Sequence, residues 1–317
     1  MTAEIRVADR GGADLELIVS INNAVTPDDP TSLDELRWSD ATYPGGTSFI
    51  AETDGRPVGV ATTGRIYVYP PEFDAYWATI KVLPEARRQG LGGALLLAVS
   101  ERAGVADKVA LHIPVASDRP ESLDFFGHRG FVEYERAKMV GLDLSGRSAP
   151  AIDPPDGIAI TSLAALPELV DGVYAVALEA YADVPGGEEP IAAGDLAEFR
   201  ARDVERPGIP ADGFMLALDQ ATGRVVGFAS LMFIAGQQKQ AWHDMTAVAR
   251  DWRGRGLAGA LKRATITWAI VNGLEELKTG NDVDNAPMRA VNARLGYQPL
   301  PDELVLRGPL FSGIMES

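Results

Sequence analysis

One short stretch is written twice in this chain, and the repetition constrains the fold more than any other feature. Arg87-Arg88-Gln89-Gly90-Leu91-Gly92-Gly93 joins a strand-like segment to an apolar, helix-forming one, and Arg253-Gly254-Arg255-Gly256-Leu257-Ala258-Gly259 does the same later on. Around these turns Val82, Arg87, Gly90, Gly130 and Phe131 recur as Val248, Arg253, Gly256, Gly296 and Tyr297, each 166 residues further along. Gly90 to Gly130 and Gly256 to Gly296 both span 40 residues. Two motifs held at one spacing in both halves mark a duplicated domain.

A chain of 317 residues suits two domains. The segment 145–157, "SGRSAPAIDPPDG", is dense in Pro, Gly and Ser and lacks apolar periodicity, which reads as a linker. The expected organisation is therefore one domain at 1–147, a linker at 148–157 and a second domain at 158–317. Each copy has the same order. A short strand ("EIRVAD"; "GIAITS") leads into helices, then a hairpin built on Asp54-Gly55 or Thr222-Gly223. A further strand ("WATIKVL"; "HDMTAVA") meets the glycine turn and an apolar helix, and another strand and helix follow. The order predicts an α+β fold, with a mostly antiparallel mixed sheet whose parallel part flanks the turn.

Composition removes several chemistries. There is no cysteine, which excludes disulfides, thiolate nucleophiles and cysteine zinc sites, and points to the cytoplasm. The three histidines lack metal-ligand spacing, so no metal is expected. A net charge of −16 opposes a phosphate-tracking nucleic-acid binder. No apolar run reaches the roughly 18 residues of a membrane span, and "MTAEIRVADRGG" has no signal-peptide core. The expected partner is a small molecule, with no nucleic acid or membrane, and the chain is expected as a monomer or homodimer.

A turn between a strand and a helix offers unpaired backbone N–H groups at the positive end of the helix dipole. Glycine lets an anion reach that backbone, and arginine adds charge-assisted hydrogen bonds. Both turns therefore read as pyrophosphate cradles. Gly254, Gly256 and Gly259 spell G-x-G-x-x-G, yet Arg88 replaces the first glycine in the other copy, and Glu275 and Glu276 precede their strand instead of ending it. This disfavours a dinucleotide fold. Neither turn ends in the Lys-Ser/Thr of a nucleotide-triphosphate loop.

At residues 82–92, "VLPEARRQGLG", and 248–258, "VARDWRGRGLA", the chain resembles the acetyl-CoA-binding signature of the GNAT N-acetyltransferase superfamily. The second copy departs from it at Arg250 and Ala258. A later family motif resembles "SLDFFGHRGF" (122–131) and, more loosely, "MRAVNARLGY" (288–297). The resemblance spans about residues 3–142 and 158–307 and implies two tandem domains, each with an acyl-CoA site. It implies that the backbone of Ile80, Lys81 and Val82, and of Thr246, Ala247 and Val248, holds the pantetheine arm. The N–H of Val82 or Val248 would face the oxyanion, and the two turns would bind the pyrophosphate. The implied reaction moves an acetyl group from acetyl-CoA to a primary amine of a small molecule.

Such a reaction needs a proton acceptor for the amine. Asp244 lies just before the second cofactor strand, and strand alternation puts it on the face of Thr246 and Val248. It is the candidate base, the alternative being a cap or an arginine partner, while His243 on the other face reads as a packed histidine. The matching positions in the first copy, Trp77 and Ala78, cannot act as bases. The family's tyrosine acid is replaced by Phe126 and Asn292, of which only Asn292 offers a donor.

Asn285 before Ala-Pro reads as a helix N-cap, and Asp118 ahead of Pro120 and Glu121 follows the same logic. Asn285 and Asn292 are also placed to turn toward the cofactor, whereas the Asp282-x-Asp284 pattern lacks the rest of a calcium loop. The loop 179–190, with Asp183, Glu188 and Glu189, either covers an acceptor cleft or is simply solvated. A binding or regulatory protein without turnover is the competing reading, favoured by the missing tyrosines. The division of labour expected from the polar residues puts chemistry in the second half.

Overall fold

The computed structural model describes residues 3–186 and 191–313, which form two compact units. One comprises residues up to Arg136 together with the segment from Asp302 onward, and the other comprises Ala137–Pro301. In chain order the first copy contains β1 (Ala3–Val7), α1 (Asp14–Val25), α2 (Leu33–Thr42), β2 (Thr47–Thr53), β3 (Arg56–Arg65), β4 (Ala75–Val82), α3 (Leu91–Val105), β5 (Ala110–Ala116), α4 (Pro120–Gly127) and β6 (Val132–Asp143). The second contains β7 (Ile158–Ser162), α5 (Val170–Ala182), α6 (Leu196–Phe199), β8 (Met215–Asp219), β9 (Val225–Ile234), β10 (Gln237–Val248), α7 (Leu257–Val271), β11 (Glu276–Asp282), α8 (Ala286–Leu295), β12 (Gln298–Pro299) and β13 (Glu303–Pro309). A single π-helical turn, Arg200–Val204, follows α6. Among the described residues no helix is long and apolar enough to cross a membrane.

The first unit's sheet runs β1-β2-β3-β4-β5-β13, antiparallel except for β4 beside β5. Asp54 and Gly55, at φ 49° and 75°, supply the two left-handed residues that a tight β2–β3 hairpin requires. α3 presents Leu91, Leu95, Leu96 and Val99 to one face of the sheet, where Leu111, Ile113, Leu304 and Leu306 meet them. Burial of each such side chain contributes about 1.5–3 kcal/mol. α1 covers the opposite face through Leu15, Ile18 and Ile21 against Val60.

The second unit repeats this plan with β7-β8-β9-β10-β11, followed by residues 137–143 of β6. Leu257 and Leu261 of α7 pack on one face, with Ile266 in a neighbouring cluster, and α5 packs through Val173, Val176 and Ala177 on the other. Phe214 and Phe228 stack beneath α5 with centroids 5.5 Å apart.

The mixed α+β sheet matches the order read from the sequence, but the units do not divide near residue 150. Each copy's last strand completes the other copy's unit. Leu142 opposes Leu277 on β11, and Leu306 opposes Ile113 on β5. The sequence conceals this because a linker composition marks where the chain is loose and not where its strands pair. Asp118 also departs from expectation. Arg119 occupies the N-cap of α4 without a side-chain cap, and Asp118 pairs with it at 3.6 Å.

Candidate functional site

In each unit the strand before the glycine turn parts from its parallel neighbour. β4 pairs with β5 only at Ala75–Trp77, although its pairing with β3 continues to Val82. β10 pairs with β11 only at Gln240–Trp242, although its pairing with β9 reaches Val248. Leu83 N–H donates to Val58 O at 2.9 Å, and Ala249 N–H to Val226 O at 3.0 Å. Amides alternate sides along a strand, so those of Ile80, Val82, Thr246 and Val248 point into the gaps. The backbones of Lys81 and Ala247 belong to the antiparallel ladder instead.

The two turns share their left-handed positions and their arginine contacts. Gly90 and Gly256 stand at φ 83° and 84° as the N-caps of α3 and α7, and a Cβ on either would meet nothing within 4 Å. Arg88 and Gly254, two residues earlier, are also left-handed, at φ 61° and 74°. Alternating backbone handedness of this kind turns successive N–H groups toward one concavity that suits an anion. Arg87 Nε donates to Val82 O at 3.1 Å and Arg253 Nε to Val248 O at 2.9 Å, which fixes each arginine at the mouth of the cradle. The second turn carries one extra contact. Asp183, just past α5, binds Arg250 through two 2.7 Å bonds and Arg253 through a third, and these arginines hold its carboxyl far below the usual range. Asp183 is therefore already engaged by two cations, while Glu188 and Glu189 lie outside the described residues.

Asp244 is not where strand alternation put it. A bulge between His243 and Thr246 sets Asp244 and Met245 together opposite Ser230, so Asp244 faces α5 while Thr246 and Val248 face α7. One extra residue in a strand reverses the alternation beyond it, and nothing in the local sequence announces it. Asp244 Oδ2 accepts from Ser230 Oγ at 3.3 Å. Its surface is exposed, yet desolvation by the surrounding protein raises its pKa, against the pull of Arg206, the Ser230 hydroxyl and Arg202. The carboxyl is thus open to solvent on one side and crowded by protein on the others. Beside it the π-helical turn buries Arg202 and Asp203, which join at 2.8 Å, and Tyr181 of α5 donates to Asp203. Burial raises Asp203 as well, and the nearby Asp244 charge adds to the shift. Tyr181, Arg202, Asp203 and Arg206 escaped the sequence reading, because "RARDVER" looks like a solvated helix face.

A model of the acetyltransferase (GNAT) family matches residues 16–131 and 178–297, once in each copy. The chain belongs to the GNAT acetyltransferase family. It is 31% identical over 253 residues to a mycothiol acetyltransferase of Clavibacter michiganensis, covering 78% of this chain and 74% of that one. A mycothiol acetyltransferase of Amycolatopsis mediterranei is 27% identical over 264 residues, covering 80% and 82%. A tandem GNAT protein from the clavulanic acid biosynthesis pathway shares the fold, with a TM-score of 0.78 at 20% identity over 98% of this chain and 99% of that one. A GCN5-related N-acetyltransferase from Sphaerobacter thermophilus does so at 0.73 and 19%, over 99% and 98%. This chain is thus a tandem GNAT acetyltransferase.

GNAT acetyltransferases use acetyl-CoA, and the residues around the second gap fit it. Asn292, only 2% exposed, donates to Asn281 Oδ1 at 2.6 Å and leaves its own Oδ1 without a partner. Thr246 Oγ1 is likewise buried and unsatisfied. An orphaned buried acceptor costs about 1–3 kcal/mol, so a ligand donor there is strongly favoured. Asn285 is committed elsewhere: its Oδ1 accepts from Met288 N–H at 3.3 Å as the cap of α8. Phe126 is core, stacked edge-on with Phe125 and Phe131. His243 is packed, with Nδ1 2.9 Å from Tyr297 Oη and Nε2 2.9 Å from Thr265 Oγ1. Among the described residues no group of acids and histidines suits a metal.

Proposed function

We propose that the C-terminal unit transfers an acetyl group from acetyl-CoA to a primary amine of a small molecule by direct attack in a ternary complex. Asp244 carries this reading: it is an accessible, desolvated carboxyl on the α5 side of the parted strand. The likeness to proteins named mycothiol acetyltransferase supports a small-molecule acceptor. Bound acetyl-CoA supplies the activated acetyl group. The turn from Arg253 to Gly259 and the helix N-terminus hold its pyrophosphate, and Val248 N–H polarises the acyl carbonyl.

Asp244 takes the proton that the attacking ammonium must lose. Desolvation makes it a stronger base than a free aspartate, and Ser230 orients it. Asn292 positions the donor through its vacant acceptor and is no proton source, since its amide N–H is held by Asn281. The departing thiolate takes its proton from water or from the substrate. The N-terminal unit binds coenzyme A at its own turn, where Arg87 to Gly93 repeat the cradle, but its β4 lacks the bulge that supplies Asp244, and it has Phe126 at the position of Asn292.

Asp244→Asn lowers kcat/KM at neutral pH by about 10²-fold, the scale of general-base assistance, and calorimetry shows nearly unchanged coenzyme A binding. In the parent enzyme kcat/KM falls as pH drops through the raised Asp244 pKa, because only the carboxylate accepts a proton. A full rate in Asp244→Asn, with activity abolished by Gly90→Val, refutes the assignment.

A further inference from the structure

The N-terminal unit has an ionisable pair of its own that the repeat does not predict. The last paired residues of β4 and β5 are Trp77 and His112. Four residues further along each strand stand Lys81 and Ala116, and Ala116 is the partner of Glu303 on β13. Lys81 and Glu303 therefore sit at one level on either side of the gap. They also share a face. Lys81 opposes Val60, which packs under α1, whereas Ile80, Val82, Leu304 and Leu306 pack toward α3.

Neither group belongs to a closed salt bridge: among the described residues the Lys81 and Glu303 side chains make no hydrogen bond and no ion pair within 4.0 Å. Glu303 is exposed, yet desolvation raises its pKa, the combination seen at Asp244. Lys81 is half-buried and desolvation lowers it, while Asp29 and Glu303 act in the opposite sense. Asp29 belongs to the α1–α2 connection, and Arg119, which pairs with Asp28 at 3.7 Å, precedes α4. Groups of both signs thus surround the gap.

The fold does not require these charges. Lys81 corresponds to Ala247 in the second unit, 166 residues on, where a small apolar residue serves. In that unit the strand filling the role of β13 is β6, and the matching level holds Ala137, opposite Asp282. Asp244, the extra residue of the β10 bulge, has no counterpart in the regular ladder of β4. Each unit has polar groups at its gap, but at different positions and with different balance: two acids and two arginines in one, an opposed lysine and glutamate in the other.

From this geometry we propose that the N-terminal gap is a second ligand site, built for a small molecule bearing both a primary amine and a carboxylate, with Glu303 receiving the ammonium and Lys81 the carboxylate. The site is assembled from both ends of the chain, which is why neither half of the sequence displays it.

Calorimetry and saturation-transfer NMR on the full chain, with coenzyme A present, test it using glycine, β-alanine and γ-aminobutyrate, with ethylamine and acetate as single-charge controls. At least one zwitterion binds, and both controls bind at least tenfold more weakly. Glu303→Gln and Lys81→Met each weaken that zwitterion at least tenfold, while Lys81→Arg, which keeps the charge, restores most of the affinity. Circular dichroism confirms that the variants are folded. Equal binding of zwitterions and controls, no binding at all, or affinity indifferent to both substitutions overturns the proposal. Because binding is read without turnover, failure here is distinct from failure of Asp244 as a base.

Discussion

Leu306→Ala tests the strand exchange directly. Leu306 lies near the end of the described chain, yet it is 5% exposed in the core of the first unit, opposite Ile113. Truncating a buried leucine costs about 2–5 kcal/mol, the lost transfer energy plus that of the cavity. Leu304, 4% exposed, and Leu95, fully buried, flank the void within the same cluster, so collapse is restricted and about 3 kcal/mol is expected. For a unit of roughly 150 residues each kcal/mol moves the midpoint by about 2–4 °C, so its melting falls by about 10 °C. Hydrogen exchange read by mass spectrometry locates the loss: protection falls most in α3 and β5, almost two hundred residues away in sequence. The control Leu277→Ala, at a fully buried position on β11, lowers protection most in β10 and β11. If Leu306→Ala instead loosens β10 and β11 and spares α3, the pairing of β13 with β5 is wrong.

Two further outcomes follow from charge placement. Lys262 on α7 is 1% exposed, lies 5.4 Å from the Tyr297 ring centroid, and burial pushes it down to about 7. Between that value and its ordinary 10.5 the unfolded chain keeps the proton that the folded chain gives up, so stability rises with pH through this window. Lys262→Met is therefore more stable than the parent at pH 6–7 by calorimetric melting, and the advantage shrinks toward pH 10; a pH-independent difference contradicts the reasoning. Asp183→Ala frees Arg250 and Arg253 from a carboxylate that competes with an incoming pyrophosphate. Coenzyme A then binds the C-terminal turn several-fold more tightly by calorimetry in a Gly90→Val background, and weaker binding would show that Asp183 pre-organises the arginines instead.

What the sequence made legible was whatever is encoded locally. The glycines at 90 and 256 must be left-handed, the Asp54-Gly55 pair must turn, and the apolar rhythm of α3 and α7 must face a sheet. Repetition at a fixed offset then raised two weak turns to one strong motif. Three things stayed hidden because they are non-local. The bulge that turns Asp244 toward α5 is a property of register with β9. The π-helical turn that buries Arg202 and Asp203 is dictated by packing beneath α5, where local charge suggests a solvated face. The exchange of β6 and β13 depends on which edge each strand finds, and two copies of one domain offer edges too similar for composition to separate.

The crossed strands also set a schedule for biosynthesis. β5 is made long before β13, with 186 residues lying between Ala116 and Glu303. At about 5–20 residues per second, the ribosome needs roughly 10–40 s to cover that distance. For all of that time the nascent first unit has an open edge on β5 and Leu111, Ile113 and Val115 without their covering strand. An unpaired apolar edge is a template for pairing with other chains. The α3 side of the sheet can dock early, but closure waits for the far end of the message. Slowing translation late in the gene should therefore hurt the yield of the N-terminal unit, the part synthesised first.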